Sequence, residues 1–341
     1  MILIYILLVI LLFGALVAIH ESGHFFTAKL SGVKVNEFAI GMGPAIFKKQ
    51  YGETLYAIRL LPFGGFCAME GEDAKSDDPR AFGNISVFKR IIIVLAGSLT
   101  NLVAGFLVLA VVFAPVREWY TPIVENAPVP VEATENVLRS EDVIRSVDGY
   151  KVYLYNDIFF GLDRGGEDQK YDIEVSRNGK KILLENVVLI SGGENTDSAN
   201  QITFKIQKSS FLNKTAFVFK NGANLVRLVI VGLWDLLRGA VSTEGMAGPV
   251  GIGKIMVDTA KVSMSSLWYL LAFISINLGV MNLLPFPALD GGRFVFLLIE
   301  LIFGKTVPKK YEGYIHLAGL AILMLFMVFI TFNDISGLIF K

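Results

Sequence analysis

Ile19-His20-Glu21-Ser22-Gly23-His24, at the end of an unbroken apolar run over residues 1–19, decides how the chain must be read. Residues four apart stack on one face of a helix, so the two imidazoles are placed to grip a single zinc ion while Glu21 stands beside the remaining coordination position. The run before them carries no charge and approaches the roughly 20 residues that a bilayer crossing needs. Hydrocarbon selects against His and Glu unless they bind something, so the motif is read as a functional site inside a membrane.

The 341-residue chain is 53% hydrophobic and 18% charged, with a mean hydropathy of +0.57. That balance is too apolar for a soluble domain and predicts several spans in a lipid bilayer. Net charge is zero, and no basic tail or single-sign block recommends a nucleic-acid partner. A single cysteine, Cys67, excludes an internal disulfide and a thiolate zinc cluster, and three histidines leave few imidazole ligands to choose from. The N-terminal run lacks the basic n-region and small-residue cleavage site of a signal peptide, so it is expected to be retained.

Residues 1–116 read as two transmembrane helices and the loop between them. The first span covers about residues 1–27. Lys29, Lys34, Lys48, Lys49, Arg59, Lys75 and Arg80 follow, which by the positive-inside rule puts this loop in the cytoplasm and the N-terminus outside. Gly41-Met42-Gly43-Pro44 and Pro62-Phe63-Gly64-Gly65 punctuate two β-prone stretches, 35–40 and 55–61, expected to form a small membrane-associated hairpin or sheet. Tyr56, Ile58 and Leu60 share one face of it, and a strand edge at that depth invites a partner strand, which makes these three candidate substrate contacts. Lys89-Arg90 then anchors the second span, 91–116. Gly97-Ser98 permits close helix contact there, and Asn101 reads as an interhelical hydrogen-bond donor, with a site role as the alternative.

Residues 117–219 change to a soluble composition, with turn pairs Asp148-Gly149, Asn178-Gly179 and Gly192-Gly193 between Val- and Ile-rich stretches, and predict a β-rich extracytoplasmic domain. In residues 220–261, Lys220, Asn224, Arg227, Asp235 and Arg238 gather on one helical face opposite Trp234 and aliphatic residues. This is the pattern of an interfacial amphipathic helix, followed by a turn at Gly248-Pro249-Val250-Gly251-Ile252 and a connector. A crossing here would carry Lys305, Lys309 and Lys310 outside. Residues 262–341 hold an apolar run, 262–303, of about forty residues, twice what one span needs. It must break, and Asn282-Leu283-Leu284-Pro285-Phe286-Pro287-Ala288-Leu289-Asp290-Gly291-Gly292 supplies the break; such interruptions line polar cavities. A last span over about 313–332 returns the C-terminus to the outside. The fold class expected is a polytopic α-helical membrane protein with about four transmembrane helices, in a plasma (inner) membrane, with the site toward the cytoplasmic side.

Two histidines and one carboxylate leave one tetrahedral position open, the arrangement of a catalytic zinc. Asp290 is the expected third ligand to His20 and His24 because its place in the broken segment matches their depth. His316, near the start of the last span, is the rival. Glu21 is the expected catalytic base, taking a proton from the attacking water and returning it to the leaving nitrogen. A helical substrate hides its carbonyls, so cleavage requires local unwinding; the edge at 55–61 would hold the unwound segment by β-addition, with Asn282 as a side-chain clamp. A catalytically inactive membrane scaffold is the competing reading, favoured by loss of Glu21 or Asp290, and neither is lost. A metal carrier would need more intramembrane ligands than three histidines supply.

Taken together, His20-Glu21-Ser22-Gly23-His24, Gly41-Met42-Gly43-Pro44, Arg59-Leu60-Leu61-Pro62-Phe63-Gly64-Gly65, Lys89-Arg90 with Ala96-Gly97-Ser98-Leu99-Thr100-Asn101, and Leu289-Asp290-Gly291-Gly292 resemble the site-2 protease family, of the bacterial RseP/RasP type, nearly end to end. The resemblance implies an intramembrane zinc protease acting on single-pass membrane proteins, such as anti-sigma factors already trimmed by another protease, or remnant signal peptides. It implies zinc ligation by His20, His24 and Asp290, with Glu21 as base. It also places Asn277, Asn282, Pro285 and Pro287 in the family's N-L-x-P-x-P-x-L-D-G segment, with Asn282 and Pro285 as substrate contacts. The outer domain is similar to a PDZ domain: Ser140-Glu141-Asp142-Val143-Ile144-Arg145-Ser146-Val147-Asp148-Gly149 fits G-D-x-I-x-x-I-x-G except at its first glycine. Residues 124–136 lack the usual G-S-P-A-x-x-A-G run.

Overall fold

The structure is a computed structural model that describes residues 2–72, 75–127, 136–164, 170–188, 202–239 and 247–340. The turn expected at Gly192-Gly193 lies outside them. Two units divide the chain: Met1–Val112 with Leu225–Lys341, and Phe113–Asn224.

The first unit opens with α1 (Ile2–Leu30), apolar on every side up to His20 as a membrane-crossing helix requires. It meets α2 (Val87–Phe113) at a crossing that only small residues allow. A methyl group added at Gly23 would lie 2.5 Å from the Ala96 carbonyl, and one at Gly97 would strike the His24 ring. The apolar run after residue 262 breaks where the prolines and glycines predict. α6 (Met264–Asn282) ends at the start of the break and α7 (Asp290–Phe303) begins at its acid. The turn between them is tight enough that any side chain at Gly291 would meet the Leu283 and Leu284 carbonyls. Arg90 on α2 donates two hydrogen bonds to the Glu300 carboxylate, at 2.9 and 2.6 Å, and ties α7 to the bundle. α8 (Lys309–Phe340) closes the chain.

The stretch Gly248–Ile252, expected as a turn, instead starts α5 (Pro249–Val262). Pro249 takes the first helical position, where its missing N–H costs nothing, and the Asp334 carboxylate of α8 accepts from the Gly248 and Gly251 amides at 3.1 and 2.8 Å. Val9 and Leu16 of α1 pack with Met256 and Ala260 of α5 and with Leu267 and Leu271 of α6.

Between α1 and α2 the two β-prone stretches extend into long strands, β1 (Val35–Tyr51) and β2 (Thr54–Met69). Their register is not that of a plain hairpin. Residues 45–51 fold back on 54–59, while Glu37 to Ile40 lie opposite Ala68 to Gly65 on one side and opposite Leu55 to Ile58 on the other. Two strands therefore make four lanes, with 55–58 inside and 65–69 at an edge. Gly41 and Gly43, at φ +88° and +82°, allow the reversal between lanes. Beneath this sheet Ala28, Val33, Val35, Cys67, Met69, Phe82, Ile93, Val94 and Leu297 form a core.

The second unit is β-rich, as its composition requires. Strands β3 (Glu118–Asn126), β4 (Val143–Val147), β5 (Tyr150–Lys151), β6 (Lys170–Arg177), β7 (Lys180–Val188) and β8 (Thr203–Lys208) form one antiparallel sheet in the order β7-β6-β4-β3-β8, with β5 on β4. α3 (Tyr155–Leu162) packs Ile158 onto Ile144, Val147, Ile173 and Val175. Helix α4 (Phe211–Leu237) follows. Its Asn224 donates to the buried Asp157 at 2.8 Å, and Asp157 also accepts the Tyr153 and Leu154 amides at the start of α3.

Among the described residues, five helices are long and apolar enough to cross a membrane: Leu7–Leu30, Val87–Phe113, Phe211–Leu237, Met264–Asn282 and Lys309–Gly337. Four coincide with the expected spans and the fifth is α4, so the chain is a multi-pass membrane protein. Because the α1–α2 crossing leaves no room beside His24, Gly97→Ala should lower the melting temperature of the detergent-solubilised protein by several degrees. Gly253→Ala, at a position with nothing within 4 Å, should be neutral or stabilise by about 0.5–1 kcal/mol.

Candidate metal centre

Three donor atoms converge where α1 meets the N-terminus of α7. His20 Nε2 and His24 Nε2 lie 3.3 Å apart, and Asp290 Oδ2 is 3.3 Å from the first and 3.4 Å from the second. The side chains are largely removed from solvent, at 12% exposure for each histidine and 19% for Asp290. Two imidazole lone pairs so close repel one another unless a cation or a proton lies between them. Zinc fits. Ligand atoms about 2.0–2.1 Å from a tetrahedral ion sit about 3.3 Å from one another, and the set of two imidazoles with one carboxylate is a zinc set with a position to spare. Of the described residues, these three form the cluster able to hold a metal ion.

The surrounding groups orient these donors. His24 Nδ1 lies 2.9 Å from the Ile93 carbonyl; donation there puts the ring proton on Nδ1 and leaves Nε2 as the lone-pair donor. The buried Ser98 hydroxyl donates to Asp290 Oδ2 at 3.2 Å. His20 Nδ1 faces the Asn101 side-chain amide at 3.2 Å. The Ile93 carbonyl was not singled out from the sequence, because a backbone acceptor carries no pattern of its own, and Ser98 was read there only as a small residue that permits close helix contact.

His316 is not in the cluster. Its Nδ1 accepts the Ala288 amide proton at 2.9 Å, and Ala288 has a left-handed backbone, φ +77°, that is costly for a residue with a side chain. The histidine thus fastens the strained turn two residues before Asp290.

A cavity of about 840 Å³ opens beside the three donors. Glu21, the strand edge from Gly65 to Met69, and Ala288 to Asp290 line it, and Glu72, Arg293, Lys309 and Glu312 give it a charged end. There Arg293 pairs with Glu72, and the Lys309 ammonium donates to the Gly71 carbonyl at 2.8 Å. Gly65 lies beside Glu21: a methyl group on it would lie 3.1 Å from Glu21 Cγ and 2.9 Å from the Ala39 carbonyl oxygen and a Val17 methyl. Burial pushes the Cys67 thiol up to about 12, helped by Glu21 and Glu72, and the thiol is not among the three converging donors.

The sequence-predicted substrate contacts lie elsewhere. Tyr56, Ile58 and Leu60 do not line the cavity; residues 55–58 are paired on both sides, and the Tyr56 ring packs 5.9 Å from Phe25. The edge that faces the cavity is 65–69, whose signal in the sequence was the Gly64-Gly65 pair read as a turn. Asn277 and Asn282 are half-buried on α6 and Pro285 is exposed, and all three are outside the cavity lining.

Comparison with known proteins bears on this geometry. The family description Peptidase family M50 matches residues 8–326. A candidate zinc metalloprotease of Clostridium acetobutylicum is 37% identical over 332 residues, 97% of each chain. Regulator of sigma-W protease RasP of Bacillus subtilis is 28% identical over an alignment of 415 positions, gaps included, covering 96% of this chain and 97% of that one. Zinc metalloprotease RasP of Geobacillus kaustophilus is 29% identical over 417, covering 96% of each. With a zinc-fitting donor set brought together by α1 and α7 and a family match along nearly its whole length, the chain belongs to peptidase family M50 and is a zinc metalloprotease of the site-2 protease type.

Proposed function

We propose that the protein cleaves single-pass transmembrane proteins within the bilayer, at a zinc held by His20, His24 and Asp290, with Glu21 as catalytic base. The observation that carries this reading is the 3.3–3.4 Å spacing of the three donor atoms beside a cavity that Glu21 also lines. Zinc, when bound, supplies a Lewis acid for a substrate carbonyl and makes water easier to deprotonate. Glu21 takes that proton on its carboxylate and hands it to the leaving amide nitrogen. Ser98 and the Ile93 carbonyl keep Asp290 and His24 in place. A substrate must be unwound to present a carbonyl, and the edge 65–69 offers main-chain partners for an extended segment beside Glu21. This replaces the 55–61 stretch, of which 55–58 are paired on both sides, as the docking strand. Anti-sigma factors or remnant signal peptides, trimmed beforehand by another protease, are the proposed substrates.

The second unit is proposed to be a PDZ-like extracytoplasmic domain, and α4 an interfacial helix rather than a fifth span. Asn224 of α4 is buried against Asp157 of the β-rich unit, a polar fit suited to a soluble domain. The thirteen residues of α4 beyond it, at about 1.5 Å each, reach about 20 Å against a core of about 30 Å. The N- and C-termini then lie outside and the site toward the cytoplasm.

Glu21→Gln should retain zinc yet lose about 10²–10⁴-fold in cleavage rate of a trimmed single-pass substrate, and Asp290→Ala should lose zinc where His316→Ala does not. Metal content and turnover of the purified variants check both; comparable turnover by Glu21→Gln would remove the base, and the reverse metal pattern would remove the ligand. The wild-type enzyme should cut the trimmed substrate faster than the untrimmed one, and a chelator should stop it. For topology, a reporter fused after Lys305 should read as cytoplasmic. An external signal there would mean that α4 crosses the membrane.

A further inference from the structure

A neutral imidazole has one donor and one acceptor nitrogen, so a histidine that offers Nε2 to a metal must keep its proton on Nδ1 and needs an acceptor for it. For His24 that acceptor is the Ile93 carbonyl. For His20 the group facing Nδ1 at 3.2 Å is the Asn101 amide nitrogen, a donor set against a donor. The other end of the same amide is in the opposite difficulty: Asn101 is fully buried, and its Oδ1 has no hydrogen-bond partner. Amide oxygen and nitrogen are nearly alike in shape, and the surrounding network decides which way the group is turned.

We infer that Asn101 is a positioning residue for the metal site, its amide turned so that Oδ1 accepts the Nδ1 proton of His20 and fixes the tautomer that presents Nε2 to zinc. The amide nitrogen then occupies the place of Oδ1. The preference for this orientation comes from the metal-bound state, in which His20 Nδ1 has to carry the proton. The residue is well held for this role. Its backbone carbonyl accepts from the buried Ser275 hydroxyl of α6 at 2.8 Å, and it lies one helical turn beyond Gly97, where the His24 ring of α1 leaves no room for a side chain. Asn101 thereby does with a side chain for His20 what Ile93 does with a carbonyl for His24, and it acts as an acceptor rather than the donor that its place in a span suggests.

The inference rests on His20 being a zinc ligand, and one titration separates the two. Zinc dissociation constants of the full-length protein in detergent are measured by competition with a chromogenic chelator for wild type, His20→Ala, Asn101→Leu and Asn101→Asp. A carboxylate at 101 can only accept, so Asn101→Asp should bind zinc within about threefold of wild type, whereas Asn101→Leu should bind about 10–100-fold more weakly. Asn101→Asp as weak as Asn101→Leu, or Asn101→Leu as tight as wild type, overturns the inference. Should Asn101→Leu fail to fold, Asn101→Asp decides alone, and a loss above tenfold overturns it. Undiminished zinc binding by His20→Ala would instead overturn the ligand set.

Discussion

Three polar donors packed to within 3.4 Å of one another, two on an apolar membrane-length helix and one on the first turn of α7, are unfavourable unless a cation or a proton sits among them. The rest of the first unit follows from that constraint. Gly23 and Gly97 let α1 and α2 approach until the His24 ring touches the α2 backbone. That approach brings the Ile93 carbonyl within reach of His24 and Asn101 within reach of His20. The interrupted apolar segment then swings Asp290 in from the other side, on the first turn of α7. Each of these moves costs something: close helix contact, a left-handed Ala288, a polar break in an apolar run. The proposed zinc offsets them together.

The same arrangement joins chemistry to substrate handling. Because Gly65 abuts Glu21, an extended segment lying on the 65–69 edge would run past the proposed base. Glycine there is a requirement of distance, since a side chain would separate strand from carboxylate. At the charged end of the cavity, the Glu72–Arg293 pair and the Lys309 contact to Gly71 tie the end of that edge to α7 and α8. The strand edge and the ligand-bearing helix are therefore fastened to one another, and a displacement of either would be felt by both.

Much of this was legible in the sequence because it depends on local chemistry. The paired histidines four apart, the proline- and glycine-rich break and the soluble composition of the middle segment each have a mechanism that needs no neighbours. What was not legible depends on pairing. The Leu55 to Leu61 stretch has the composition of an edge strand, yet residues 37–40 lie against one side of its 55–58 part and 45–51 against the other, which no periodicity could reveal. Gly248-Pro249 reads as a breaker until Asp334, more than eighty residues away, caps the helix that it begins. His316 looks like a ligand by type, and only its bond to Ala288 shows that it fastens the turn instead. Asn101 was noticed as polar in an apolar span, but whether it donates or accepts follows from a partner on another helix.

Zinc-edge X-ray absorption on the purified full-length protein tests the central claim most directly. The account predicts a first shell of nitrogen and oxygen only, at about 2.0–2.1 Å, with the multiple-scattering signature of two imidazoles. A sulfur scatterer at about 2.3 Å, which only the single cysteine or a methionine of this chain could supply, or the signature of three imidazoles, would contradict it.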